Sequence, residues 1–475
     1  MTMPKAHFGL IGLGVMGENL VLNAERNGFS SVVYNRTYAK TEIFLSNLGT
    51  DNRRIEGAHN LQELVEKLER PRRILIMVKA GPAVDTVIEQ ISPLIEEGDL
   101  LIDGGNSEFH DTERRVAQLE GKSFGFIGMG VSGGAKGALE GPSMMPGGTR
   151  TSYKAIESLV RKMAAQAEDG PCVTYIGPGG AGHFVKTVHN GIEYSMQQIL
   201  AEAYDLMKRV ANMSCGEIAD VFSYWNSIEE LSSYLVEISE VCLRTKDPET
   251  GDSLVEKIMD QAAQKGTGLW TVVSALQMGV SMPTIYAAVN ARLMSSMYQQ
   301  RQQAKNILHS PLGKPFSVGT LANGMAPLMD AVVLGYIASY AQGMELLRVA
   351  SEKQKYGLQL HSIARIWKGG CIIRAHLLKR IQNAFTTDPH LCNLLVEPWF
   401  AEQVSRRLAG LTTIVAGAAN SGIPVPCLSS TLDYINSYKT GRLPQNLIQA
   451  MRDCFGSHTY QRIDKEGIFH TEWLK

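Results

Sequence analysis

Nowhere does the chain hold the run of about 18–20 apolar residues that a helix needs to cross a bilayer, so no membrane partner is expected. Cysteine is scarce: seven residues, an odd number with no CxxC spacing, which excludes a disulfide framework and a structural zinc site and fits reduced thiols. Charge of neither sign prevails. A formal net charge of −1 argues against a surface built for nucleic acid, while leaving room for a local basic pocket that takes a small anion. The start lacks the basic-then-apolar plan of a secretory signal and runs at once into Phe8-Gly-Leu-Ile-Gly12, which reads as a strand. Aromatics are few (7%), but 44% hydrophobic and 20% charged residues make an ordinary globular composition, not a disordered one. The expectation is a cytoplasmic enzyme, and 475 residues exceed what one core serves, so two or three domains.

What is present is alternation. In 1–178, β-branched runs at 7–11, 31–35, 73–78, 99–103, 124–127 and 173–176 read as buried strands, each separated from the next by room for a crossover helix. That pattern predicts a Rossmann-type, doubly wound α/β domain with a parallel sheet. After the glycine-rich joint at 177–182 the period changes. Val185, Val188, Ile192, Met196, Ile199, Ala203 and Leu206 follow helical steps of three and four, and similar patterning continues past residue 430. The expected organisation is therefore a dinucleotide domain over 1–178, a large all-α domain over 179–438, and a short C-terminal tail over 439–475. The tail is polar, holds Gly441 and Pro444, and either docks elsewhere or frays.

Gly12-Leu13-Gly14-Val15-Met16-Gly17 follows the first strand and opens a helix. Its glycines permit a tight turn and close backbone approach to a pyrophosphate, which the helix N-terminus then faces. At the end of the second strand, where NAD-specific folds place a carboxylate on the ribose, stand Asn35, Arg36 and Thr37. An acid there would repel a 2′-phosphate, whereas a guanidinium binds one through paired hydrogen bonds, so NADP is the expected cofactor. Val78-Lys79-Ala80 and Asp103-Gly-Gly-Asn106 follow two further strands, at the edge where such sheets hold their ligand.

On the helix opening near Gly182, Lys186, Asn190, Glu193 and Gln197 fall within an arc of about 60°. An amine and a carboxyl seven residues apart stand roughly 10 Å apart on one side. Oxidising an alcohol needs a base for the hydroxyl proton, and a following decarboxylation needs an acid for the enol carbon; this pair suits both. A solvated Lys/Glu face is the plainer alternative. Val131-Ser132-Gly133-Gly134 exposes amides that suit a carboxylate or hydroxyl, or else is a flexible loop.

Three motifs then carry a resemblance. Gly182-His183-Phe184-Val185-Lys186-x-Val188-His189-Asn190-Gly191-Ile192-Glu193-Tyr194 is similar to the signature of the decarboxylating 6-phosphogluconate dehydrogenases. So is Ile258-x-Asp260-x-x-Ala263-Gln264-Lys265-Gly266-Thr267-Gly268-x-Trp270, and so are Arg442-Leu-Pro-x-Asn446 through Arg452-Asp453 and Gly456-x-His458-Thr-Tyr460. The likeness runs the whole length. It implies NADP-dependent oxidative decarboxylation of 6-phosphogluconate in the pentose phosphate pathway, without a metal, with Lys186 as general base and Glu193 as general acid. It implies that Asn106, Ser132, Gly133, Gly134, His189 and Asn190 hold the carboxylate and hydroxyls. Tyr194, Lys265, Arg292 and, from the partner of a homodimer with shared sites, Arg452 would bind the phosphate, with His458 nearby. The residues add no ligand cluster for a metal.

Three departures stand out: Gly14 where many members have alanine, Leu269 where many have lysine, and an end soon after Trp473, so that no long tail is assumed at the cofactor. Two alternatives remain beside this reading. A shorter-type β-hydroxyacid dehydrogenase lacks the Lys265 motif and the Arg452 tail, and a non-catalytic NADP sensor is expected to have lost Lys186 or Glu193.

Overall fold

Strands as apolar as Phe8–Ile11 are buried along their whole length, and they sit in a sheet covered on both faces. The structure is a computed structural model, which describes residues 5–49, 54–308, 316–320 and 323–474. Its sheet has the order β3-β2-β1-β4-β5-β6-β7. β1 (Phe8–Ile11), β2 (Ser31–Tyr34), β3 (Ile55–Gly57), β4 (Arg73–Ile76), β5 (Leu100–Asp103) and β6 (Gly125–Val131) run parallel, and β7 (Met144–Pro146) closes the edge antiparallel to β6. The chain reverses winding between β1 and β4, which makes the C-terminal ends of those strands the ligand crevice.

Sequence patterning misses β3 and β7, each only three residues long; β7 also carries Pro146, tolerated because the strand lies at an edge. It also predicts a strand at 173–176 that does not form. Only Val173 and Gly177 bridge to the β7 region; between them Ile176 N–H reaches the Pro146 carbonyl, but Pro146 has no N–H to donate in return, which leaves no continuous ladder.

Beyond residue 180 the chain is helical. The 29-residue helix Ala181–Arg209 packs on β6 with one side and on the helix Ala326–Lys353 with the other. Gly335 meets Ile199 and Gly343 meets Ile192, so the two helices run antiparallel, and their small residues let the backbones approach. Around them lies a core that includes the fully buried Trp225, Trp367, Tyr336 and Tyr340. Every residue of the predicted apolar stripe, Val185 to Leu206, is buried. Among the described residues no helix is long and apolar enough to cross a membrane.

The tail is ordered on itself. The helix Gln445–Gly456 is followed by a short antiparallel contact between Tyr460 and Phe469. Both arms are drawn together by the buried Asp453, whose carboxylate accepts from Thr459 N–H, Thr471 N–H, His470 Nδ1 and Trp473 Nε1. Those donors hold the Asp453 carboxyl well below its ordinary range against the opposing effect of burial.

Candidate active site

The turn after β1 follows from backbone sterics. Gly12 adopts φ of +106°, and a Cβ there would meet the Met77 carbonyl at 2.5 Å. Gly17 packs its bare Cα against the Gly12 carbonyl, seating the helix Val15–Arg26 close on the strand. Gly14 caps that helix with ordinary φ of −101° and open space around it, so alanine there is sterically neutral. No side chain caps the N-terminus, leaving its amides to face a ligand.

A cleft of about 450 Å³ opens at this turn. Gly12, Leu13, Gly14, Asn35, Arg36, Thr37, Val78 and Lys79 line it, while Val15 and Met16 stand at its rim in the first helical turn and Ala80 just past Lys79. Asn35 shapes its floor: Oδ1 accepts from Leu13 N–H at 3.2 Å and Nδ2 donates to the Thr37 carbonyl at 3.1 Å, ending β2 at Tyr34. Lys40 lines the same cleft and is not singled out by sequence patterning; its place in the first turn of the helix Tyr38–Asn47, which starts just after Arg36, is the available signal. Glycine turn, open helix terminus and three exposed cations, Arg36, Lys40 and Lys79, lining one cleft fit a dinucleotide with an extra phosphate. Arg36→Ala is expected to raise the Kd for NADP roughly 10- to 100-fold and leave that for NAD nearly unchanged, measured by fluorescence titration.

The second part of the site lies at the same sheet edge. Register aligns Ile76 with Asp103 and Asp103 with Gly128, so Gly130, two residues further along β6, is level with the loops carrying Val78 and Asn106. Gly130 is where Lys186 rests; a Cβ on it would occupy the space of Lys186 Cβ and Cγ. The helix Ala181–Arg209 thus brings its lysine onto the strand through a missing side chain. Lys186 is buried (5% exposed), which removes the solvated-face alternative. Burial pushes its ammonium down to about 8, against the opposing influence of Glu193 and Cys371. Glu193 is partly exposed on the same face, and burial raises its carboxyl, offset by Lys186, Arg292 and a hydrogen bond from Gln197 at 3.2 Å.

Ser132 lies buried at the end of β6 with Oγ 3.2 Å from His189 Nε2; His189 Nδ1 lies 3.0 Å from Asn190 Oδ1, and its ring meets Trp367 edge-on. Burial and the nearby Lys186 charge hold His189 well below its ordinary range, so the ring is neutral. Gly133 is buried and Gly134 exposed beside it, while Asn106 is exposed after β5. Toward the other end of the helix, the Arg292 guanidinium lies 4.0 Å over the Tyr194 ring and donates to Gln197 and, at 2.8 Å, to the Ala263 carbonyl, which fixes the segment leading to the exposed Lys265. Gly268 packs directly on Tyr194. Arg452 and His458 stand apart on the tail helix and the turn after it, exposed, with Arg452 bonded to Gln449 of its own helix.

A doubly wound sheet with this cleft, beside a buried lysine on a helix crossing its edge, defines an NADP-linked oxidoreductase. A model described as the NAD binding domain of 6-phosphogluconate dehydrogenase matches residues 7–177, and one described as the 6-phosphogluconate dehydrogenase C-terminal domain matches residues 182–473. The chain is 56% identical to a 6-phosphogluconate dehydrogenase, decarboxylating, of Synechococcus elongatus, over 99% of this chain and 100% of that one. It is 46% identical to the NADP(+)-dependent, decarboxylating enzyme of Bacillus subtilis over 100% of both chains. The Plasmodium falciparum 6-phosphogluconate dehydrogenase, solved apo, with NADP+ and with 6-phosphogluconate, superposes with a TM-score of 0.92 at 42% identity, covering 98% of this chain and 100% of that one. The chain belongs to the 6-phosphogluconate dehydrogenase family.

Proposed function

We propose that the protein oxidises and decarboxylates 6-phosphogluconate to ribulose 5-phosphate and CO2 without a metal, using Lys186 as base and Glu193 as acid. The observation that carries this is the buried Lys186, held near pKa 8 on the ligand edge of the sheet with a carboxyl on the same helix face. Gly12, Leu13, Gly14, Arg36 and Lys79 would hold NADP, which when bound would supply the acceptor for the hydride from C3. Lys186 takes the C3 hydroxyl proton as the hydride leaves; the product is a β-keto acid. The resulting ammonium then hydrogen-bonds the C3 carbonyl oxygen and returns its proton there as the C1–C2 bond breaks and CO2 departs, leaving an enediol. Glu193 protonates the carbon that bore the carboxylate while Lys186 takes back the C3 enediol hydroxyl proton, so that the ketone of ribulose 5-phosphate forms. Asn106, Ser132, Gly133, Gly134, His189 and Asn190 bind the carboxylate and hydroxyls, the neutral His189 supplying no charge of its own.

Arg292 stacks on Tyr194 near the middle of the helix and holds the Ala263 carbonyl two residues before Lys265, and two cations there would suit a phosphate dianion. The third cation in this reading, Arg452, comes from a second subunit. The tail helix leaves Leu447 and Phe455 63% and 74% exposed, and Leu276 and Tyr286, on the helices Thr267–Met278 and Pro283–Ser296, are 74% and 55% exposed, apolar surface that a homodimer would cover. Seven free thiols suit the reducing cytoplasm. The shorter hydroxyacid dehydrogenase and sensor readings find no comparable support, since the Lys265 motif, the tail and both catalytic groups are present.

The test is stoichiometric release of NADPH and CO2 from 6-phosphogluconate with and without chelator, beside an unphosphorylated 3-hydroxy acid. Chelator-sensitive turnover, or preference for the unphosphorylated acid, would sink the proposal. For the shared site, co-expressing Lys186→Met and Arg452→Ala subunits is expected to restore about a quarter of wild-type activity, because half the dimers formed are mixed and one site of each is intact. No recovery in the mixture would show that each site is built from one chain.

A further inference from the structure

One arginine remote from the reacting groups is tied to both loops at the ends of β4 and β5. Arg115 lies in the helix Phe109–Leu119, and only 1% of its side chain is exposed, a rare setting for a guanidinium. Nε donates to Asp85 Oδ1 at 2.8 Å; Nη2 donates to Asp85 Oδ2 at 3.1 Å and to the Gly81 carbonyl at 3.0 Å; Nη1 donates to Asp103 Oδ2 at 3.3 Å. Gly81 and Asp85 begin the helix Pro82–Ile91, directly after Val78-Lys79-Ala80. Asp103, fully buried, closes the turn before Asn106: Oδ1 accepts from Gly105 N–H at 3.1 Å and Oδ2 from Ser107 Oγ at 2.6 Å. One rigid fork thus joins Asp103 at the end of β5 to Gly81 and Asp85 at the start of the helix after β4, a task no single ammonium performs.

The same helix reaches the catalytic one. Thr112 Oγ1 lies 2.7 Å from His183 Nδ1, and Glu113 Oε1 accepts from Gly180 N–H at 2.7 Å, closing the N-terminus of the helix that bears Lys186. Loop spacing and helix placement therefore share one support.

We infer that Arg115 is a positioning residue for the cofactor, setting the separation of the β4 and β5 loops and, through its helix, the placement of the cofactor's nicotinamide end relative to Lys186. This rests on the cleft beside Gly12 being the nucleotide site. Misplacement by an ångström far from the chemistry is enough to slow an enzyme by roughly two orders of magnitude.

The experiment compares Arg115→Lys and Asp85→Asn with Arg36→Ala, reading Kd for NADPH by fluorescence, KM for each substrate, kcat and the thermal midpoint. Arg115→Lys is expected to raise the NADP constants about tenfold and to lower kcat, with the KM for 6-phosphogluconate moving less. Asp85→Asn, at a carboxylate 35% exposed that Arg114 also binds, loosens only the β4 side, where Arg115 keeps the Gly81 carbonyl, and should raise the NADP constants several-fold while the protein folds normally, so it decides the matter even if Arg115→Lys fails to fold. Weakened NADP binding in Arg36→Ala with unchanged NADP constants in Asp85→Asn and in any folded Arg115→Lys overturns the inference and leaves the cleft assignment standing. A fall in thermal midpoint alone, with NADP constants unaltered, marks Arg115 as purely structural and overturns it too. Unchanged binding in Arg36→Ala removes the cleft assignment and this inference with it.

Discussion

Lys186→Met is expected to lower kcat by about a thousandfold or more while the Kd for NADP stays within about twofold. Methionine keeps the length and apolar stem that pack on Gly130, so the helix retains its seat on β6 and the lost group is the amine alone. The magnitude follows from two duties. In the proposed mechanism Lys186 serves the oxidation as a base, and moving its pKa from 10.5 to about 8 enlarges the neutral fraction near neutrality by more than two orders of magnitude. It then serves the decarboxylation as the charge beside the developing oxyanion, where a buried cation acts at low dielectric. Steady-state turnover together with NADPH titration checks this; full turnover in the methionine variant would end the role assigned to Lys186. Gly130 offers a second route to the same loss, since any side chain there enters the space that Lys186 occupies.

How far such a site is legible in sequence depends on whether its groups are neighbours along a period or only in space. The glycine turn and the Lys186–Glu193 face belong to single elements, so helical and strand periods reveal them. The NADP preference is readable because an arginine stands where an acid would be, at the end of a strand that patterning locates. Lys40 is not singled out, although the first turn of the helix after Arg36 brings it to the same cleft. Burial of Lys186 escapes the sequence for a different reason: a Lys/Glu face normally faces water, and its seat on β6 depends on Gly130, fifty-six residues away along the chain. The segment 173–176 has strand composition, yet without a sufficient partner beside β7 it contributes two bridges and no strand. Arg115 is the extreme case. Its partners Asp85 and Asp103 lie on a helix and a strand far apart in sequence, and nothing local separates it from the exposed Arg114 next to it.

The proton inventory of Lys186 and Glu193 leads to a pH profile with a definite shape. Each group perturbs the other, so their titration steps belong to the pair. The working state holds one proton between them: with two, no base is present, and with none, no acid. Activity, as kcat/KM, is therefore expected to be bell-shaped. It falls on the acid side as the raised Glu193 carboxyl gains its proton and on the basic side near pH 8, where the second proton leaves. Glu193→Gln changes the shape. The variant keeps the side chain's bulk but supplies neither acid nor charge, so kcat should drop by about a hundredfold. Removing a negative charge that favours the ammonium lowers the pKa of Lys186, so the residual rate should climb through a value below 8 and then level off instead of falling. Water then protonates the enediol without facial control, and deuterium from solvent becomes scrambled at C1 of ribulose 5-phosphate, whereas the wild type places it on one face. A Glu193→Gln variant that kept the bell, the rate and the stereochemistry would show that the acid is some other group.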